Sequence, residues 1–183
     1  VSGGVDVSTA LLQEKWDHIF YTGSCDVGRV VMAAASKNLT PVTLELGGKT
    51  PTIVLKDADL DITCRRITWG KFMNAGQTCV APDYILVEES IRDKFVQGVI
   101  DNIKQFYGED PQQSKDFERV INSRHMKRLE RLMEGNKPTF GGKYDIDACY
   151  WEPTLIGEPD LDSALMQGFY FKNIISLFKK LIF

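Results

Sequence analysis

Between His18 and Leu46 the chain spells a strand, a glycine turn, a helix and a second strand. Joints this short point to parallel strands covered by helices. The first strand is the β-prone run His18-Ile19-Phe20-Tyr21-Thr22, ended by Gly23. A helix is predicted from Val27 to Lys37, with Val27, Val30, Val31 and Ala34 on one stripe and basic residues at its end. The second strand, Pro41 to Leu46, alternates Val42, Leu44 and Leu46 with Thr43 and Glu45, and stops at Gly47-Gly48. The chain is therefore read as α/β.

The rest of the pattern agrees. Val7 to Trp16 reads as a helix that Ser8 can cap, and Thr52 to Leu55 as a strand. Asp57, Asp59 and Asp61 supply acidic residues and a cap for a helix from Leu60 to Phe72. Tyr84 to Val87 reads as a strand, Ile91 to Phe106 and Phe117 to Met133 as helices, and Tyr150 to Ile156 as a last extended segment. Helix 117–133 carries Arg119, Arg124, Lys127, Arg128 and Arg131, but Glu118, Glu130 and Glu134 make it a solvated, salt-bridged face. From Gly168 the composition shifts to apolar and aromatic residues with lysine as the one kind of charge. If helical, that tail puts Phe171, Ile174, Ile175, Phe178, Leu181 and Ile182 opposite Lys172, Ser176, Lys179 and Lys180, a stripe suited to a membrane surface. An arbitrary read-through sequence accounts for it as well.

Composition narrows the function classes. The net charge of −3, from 22 basic and 25 acidic residues, gives no reason to expect a nucleic-acid partner. Cys25, Cys64, Cys79 and Cys149 are scattered without a CxxC pair, and His18 and His125 lie far apart, so neither a disulfide framework nor a metal site is expected. A reducing, cytoplasmic compartment follows, with the cytosolic face of an internal membrane as the place the tail would suit. No apolar run reaches the roughly 18 residues of a membrane span. The chain begins at Val1 and is read as a piece of a longer protein.

Three segments carry chemistry. Cys79 follows Gly76-Gln77-Thr78 in a loop just after a helix, where backbone N–H groups favour a thiolate, whereas Cys64, inside a helix, reads as inert packing. Glu45 sits in an otherwise apolar strand. It reads as an exposed edge position or as a carboxylate held at the carboxyl end of a parallel strand, where partial burial would suit it to act as a base. Gly23-Ser24-Cys25-Asp26-Val27-Gly28 joins strand to helix, and N–H groups at such a helix start can hold a cofactor phosphate.

In order, Phe-Tyr-Thr-Gly-Ser, Leu-Glu-Leu-Gly-Gly-Lys-Thr-Pro and Asn-Ala-Gly-Gln-Thr-Cys resemble the signature stretches of aldehyde dehydrogenases. The 34-residue step from Glu45 to Cys79 is similar to that family's register. The surrounding wording looks closest to the class 3 and fatty aldehyde dehydrogenase branch. The resemblance implies an aldehyde substrate, NAD or NADP as cofactor and a homodimeric full-length parent. It implies a cysteine thiolate at Cys79 that forms a thiohemiacetal and, after hydride transfer, a thioester. Glu45 then corresponds to the base that activates the hydrolytic water. Gly23, Ser24, Cys25, Asp26, Val27 and Gly28 correspond to the cofactor-contacting turn, and Leu46 to the backbone that meets the nicotinamide end. The Cys79 N–H corresponds to one oxyanion donor, a contact worth roughly 3–4 kcal/mol in acyl-transfer enzymes.

The expected fold is thus an incomplete parallel-sheet aldehyde dehydrogenase. Residues 1–46 would close its NAD(P)-binding domain, 47–167 form part of its catalytic domain, and 168–183 be a tail foreign to the family. Two stretches of a complete member are missing: the amino-terminal region with its second oxyanion donor, and the Glu-Glu-Ile-Phe-Gly-Pro run after Met-Gln whose glutamate contacts the cofactor ribose. The expectation that follows is an oxidoreductase segment with no measurable activity alone. The alternative is a truncated, inactive form that at most pairs with intact subunits.

Overall fold

The computed structural model describes residues 1–167, 172 and 174–178. They fall into two compact units, Val1–Gly48 and Lys49–Phe183.

In the first unit, helix α1 (Val5–Leu11) precedes strand β1 (Ile19–Gly23), helix α2 (Cys25–Ser36) and strand β2 (Val42–Leu46). β1 and β2 pair in parallel from Ile19↔Val42 to Gly23↔Leu46, as the β-α-β pattern requires. α1 is shorter than expected. Ser8 lies inside it, its hydroxyl turned back to the Gly4 carbonyl, and the Trp16 indole N–H caps the Leu11 carbonyl beyond its end. α2 starts two residues earlier than expected because Ser24 caps it, its Oγ accepting from the Val27 N–H at 3.3 Å. The face α2 buries is Gly28, Val31 and Ala35, whereas Val27 and Val30 are exposed. Gly28 sets that rotation: a Cβ there would lie 2.9 Å from Leu46 Cδ2, so only glycine lets helix and strand approach this closely.

The second unit is built on a four-stranded sheet in the order β3 (Thr50–Val54), β4 (Pro82–Val87), β8 (Ile174–Phe178), β7 (Thr154–Gly157), parallel throughout. α3 (Leu60–Phe72) and α4 (Arg92–Tyr107) pack on one face, and α5 (Ser123–Met133) belongs to a second apolar cluster. β7 and β8 are buried on both faces: Leu155, Ile175 and Leu177 join α3 and α4, while Ile156 and Ile174 join α5. Such double burial is what a parallel sheet demands. A small antiparallel pair, β5 (Tyr144–Asp145) and β6 (Tyr150–Trp151), completes the unit.

Asp59 caps α3 through the Ile62 N–H at 3.1 Å, as its sequence position suggests. α5 begins at Ser123 rather than Phe117, because Asn122 caps it through the His125 N–H and the 117–120 stretch is held in a loop. The expected strand 150–156 is split at Pro153, which cannot donate to a ladder.

The largest departure is the tail. Ile174, Ile175 and Phe178, placed by the helical reading on an apolar stripe, and Ser176, placed opposite it, lie in β8 between β4 and β7, and Lys172 is buried. Phe171, Lys179, Lys180, Leu181 and Ile182 lie outside the described residues. Among the described residues no helix is long and apolar enough to cross a membrane, and no group of three or more His, Cys, Asp or Glu could hold a metal ion.

Candidate active site

In the first unit the predicted cofactor residues gather at one end of the strand pair. Gly23 and Leu46 are register partners at the carboxyl ends of β1 and β2, and Thr22 faces Glu45 one step back. The Tyr21 ring folds over Gly23. Ser24, Cys25, Asp26 and Val27 form the start of α2 immediately beyond. Ser24 satisfies the Val27 N–H and Gly28 donates to the Ser24 carbonyl at 2.9 Å, so the first-turn N–H groups of Cys25 and Asp26 remain to face an anion. Asp26 pairs with Arg29 at 3.0 Å, but both are solvated and the pair holds little. This helix start fits a phosphate-bearing dinucleotide. Glu45 is exposed on β2, as the edge-position reading has it and not the partly buried one; alternation turns it away from the inward Leu44 and Leu46.

Cys79 belongs to the second unit. α3 ends at Phe72 and runs into a 3-10 turn, Met73–Gly76, in which three consecutive residues have left-handed backbone: Asn74 (φ 53°), Ala75 (φ 52°) and Gly76 (φ 70°). Two of these are not glycine, which costs on the order of 1–3 kcal/mol each and persists only where surroundings enforce it. Gln77 does the enforcing. Its Nε2 donates to the Asn74 carbonyl at 3.0 Å and the Arg119 carbonyl at 3.1 Å, and its Oε1 accepts from the Ile121 N–H at 2.9 Å. Asn74 Nδ2 closes the turn on the Gln77 carbonyl at 3.2 Å. Thr50 on β3 reaches the Cys79 carbonyl at 3.5 Å. Cys79 is left partly exposed with a free thiol, and among the described residues no acceptor takes its N–H.

The other thiols differ. Cys64 is 2% exposed, donates to the Phe95 carbonyl, and burial, with Asp61 and Asp101 nearby, pushes it up to about 11. Cys25 and Cys149 are partly exposed, at the α2 start and in the β5–β6 connection.

Beside the strained turn lies a groove of about 480 Å³ lined by Trp69, Met73, Asn74, Phe106, Tyr107, Asp116 and Glu118. Trp69 is 59% and Met73 40% exposed, so two large apolar side chains one helical turn apart face solvent where α3 meets the Cys79 loop. Sequence reasoning gave neither these two nor Gln77 a role. The signal available was the Trp69/Met73 spacing of four on a helix running into Cys79.

A strained turn that offers a thiol and a spare N–H places a nucleophile's atom next to an oxyanion donor. The aldehyde dehydrogenase family model matches residues 1–179, and the chain belongs to that family. The match continues past Gly168, where the resemblance was expected to stop. The chain is 53% identical over 177 residues to aldehyde dehydrogenase family 3 member A2 of Rattus norvegicus, covering 97% of this chain and 37% of that protein. It is equally similar, 53% over 177 residues, to the dimeric NADP-preferring aldehyde dehydrogenase of Canis lupus familiaris, covering 97% of this chain and 39% of that one. The structure of Staphylococcus aureus AldH in its substrate-bound state superposes with a TM-score of 0.93 at 43% identity, over 100% of this chain and 40% of its own. The chain thus spans about two fifths of the proteins it matches.

Proposed function

We propose that this chain is the segment of an aldehyde dehydrogenase that carries its nucleophile, its base and one wall of its dinucleotide site, in an enzyme that oxidises aldehydes to carboxylic acids. The observation that supports it most is the Gln77-clamped turn, which presents the Cys79 thiol and N–H side by side. Sγ of Cys79 adds to the aldehyde carbon, and the oxyanion that forms is met by the N–H of the same residue. The groove lined by Trp69, Met73 and Phe106 receives the apolar part of the aldehyde. The start of α2 holds a phosphate of NAD or NADP through the Cys25 and Asp26 N–H groups, with Gly23 and Leu46 flanking the strand ends. When bound, the dinucleotide supplies the hydride acceptor. Glu45 takes a proton from the water that cleaves the acyl group from Sγ, and its exposed setting on β2 leaves it in reach of water. A parent enzyme carrying this segment works as a homodimer on this reading, as the name of its NADP-preferring relative suggests.

Glu45→Gln in a holoenzyme that carries this segment tests the assignment. A pre-steady-state burst of reduced dinucleotide should survive, while thioester hydrolysis slows by about 10²–10⁴-fold, the usual cost of losing a general base. Unchanged steady-state turnover would rule the role out.

A further inference from the structure

Four charged side chains meet inside the second unit, and the proposed reaction uses none of them. Lys71 on α3 is 1% exposed, Asp83 on β4 3%, and Lys172, before β8, 2%. Lys49, before β3, completes the set. Asp83 receives Lys49 on Oδ2 at 2.5 Å and Lys172 on Oδ1 at 3.2 Å, and Lys172 also donates to the Leu165 carbonyl at 3.0 Å. One carboxylate therefore faces three amines. Fully protonated, the cluster would carry two excess positive charges with Lys49 alone in partial contact with water, which the interior strongly disfavours.

We propose that this cluster is a proton-operated joint. Asp83 ties the start of β3 and the entry to β8 onto β4, and loss of a proton from the lysines tightens the unit. Burial lowers Lys71 to about 7; Asp83 opposes that shift, while Lys172 and Lys49 add to it. Lys172 is lowered to about 8, again by burial first, against the attraction of Asp83. The charged groups facing Lys71 are Asp83 on β4, Lys49 just before β3 and Lys172 two residues before β8. On α4, which also packs on α3, Asp101 accepts from Gln97 at 2.8 Å and acts on Cys64 rather than on Lys71.

The sign is opposite to that of an ordinary lysine pair. An unfolded lysine keeps its proton to about pH 10.4. Between the folded and unfolded values the unfolded chain binds the extra proton, so stability rises with pH, from about 7 for Lys71 and from about 8 for Lys172. Below about 7 both states are protonated and the gain is absent. A surface Lys–Asp pair would instead be flat here and weaken only as its lysine titrates above pH 10.

Guanidinium unfolding of the full 183-residue chain, followed by tryptophan fluorescence between pH 6 and 9, reads this out. The unfolding constant should fall by up to about tenfold per pH unit for each lysine engaged. Lys71→Met should flatten the profile near neutrality and raise the midpoint at pH 6. Titration of ¹³C-labelled lysines in the unaltered chain needs no variant, and two resonances should move well below pH 10. A flat stability profile, an absent cooperative transition, or lysines that all titrate near pH 10 would overturn the proposal.

Discussion

Gln77 makes three side-chain hydrogen bonds that reach two parts of the chain, and it holds the backbone of the turn before Cys79 in a strained shape. Replacing it with alanine removes all three and leaves the Ile121 N–H and two carbonyls to find water. A net contribution of about 1 kcal/mol per bond puts the expected loss near 1–3 kcal/mol. The more telling effect is local. With Asn74 and Ala75 free to leave left-handed backbone, Cys79 loses its fixed presentation, so its alkylation should slow relative to Cys25 and Cys149 while the fold survives. An unchanged ratio would show that the clamp does not position the thiol. The motif around Gln77 was legible in the sequence, but its role was not, because its partners lie 42 and 44 residues away. The exposed and partly buried readings of Glu45 were not separable in the sequence for a related reason: strand alternation fixes which way a side chain points, but only packing fixes what covers it.

Elements with local signals were read well. Asp59 marks the start of α3 because a carboxylate three residues before an N–H is a local geometry. β1, α2 and β2 announced themselves by alternation and a glycine turn. β8 did not. A strand buried on both faces is a short continuous apolar run, and Ile-Ile-Ser-Leu-Phe flanked by lysines also fits one face of a helix. What decides for a strand is non-local: Tyr84 to Leu86 on one side, Thr154 to Gly157 on the other, and Asp83 for Lys172. Lysine read as a solvated face is thereby an interior residue. Ile175, with no exposed surface, sits among α3, α4 and the sheet. Ile175→Ala should cost about 2–5 kcal/mol in chemical denaturation. A loss below about 0.5 kcal/mol, the size expected of a solvated position, would mean the tail is not the sheet's inner strand.

Cohesion is distributed unevenly over the whole molecule. The first unit has two strands, and its α2 buries Gly28, Val31 and Ala35 while α1 buries nothing. A strand pair alone is marginal in water. The second unit holds both apolar clusters, the strained turn and the buried charges. The family and the α/β class were legible because three motifs recur in order; the inner strand and the lysine joint were not, because nothing local encodes them. The central claim is that Cys79 is the nucleophile, and thiol reactivity tests it most directly. Brief treatment of the folded chain with limiting iodoacetamide, followed by peptide mapping, should label Cys79 first, then Cys25 and Cys149, and Cys64 last, since that thiol is buried and held by the Phe95 carbonyl. Labelling of Cys25 or Cys149 ahead of Cys79 would contradict the account.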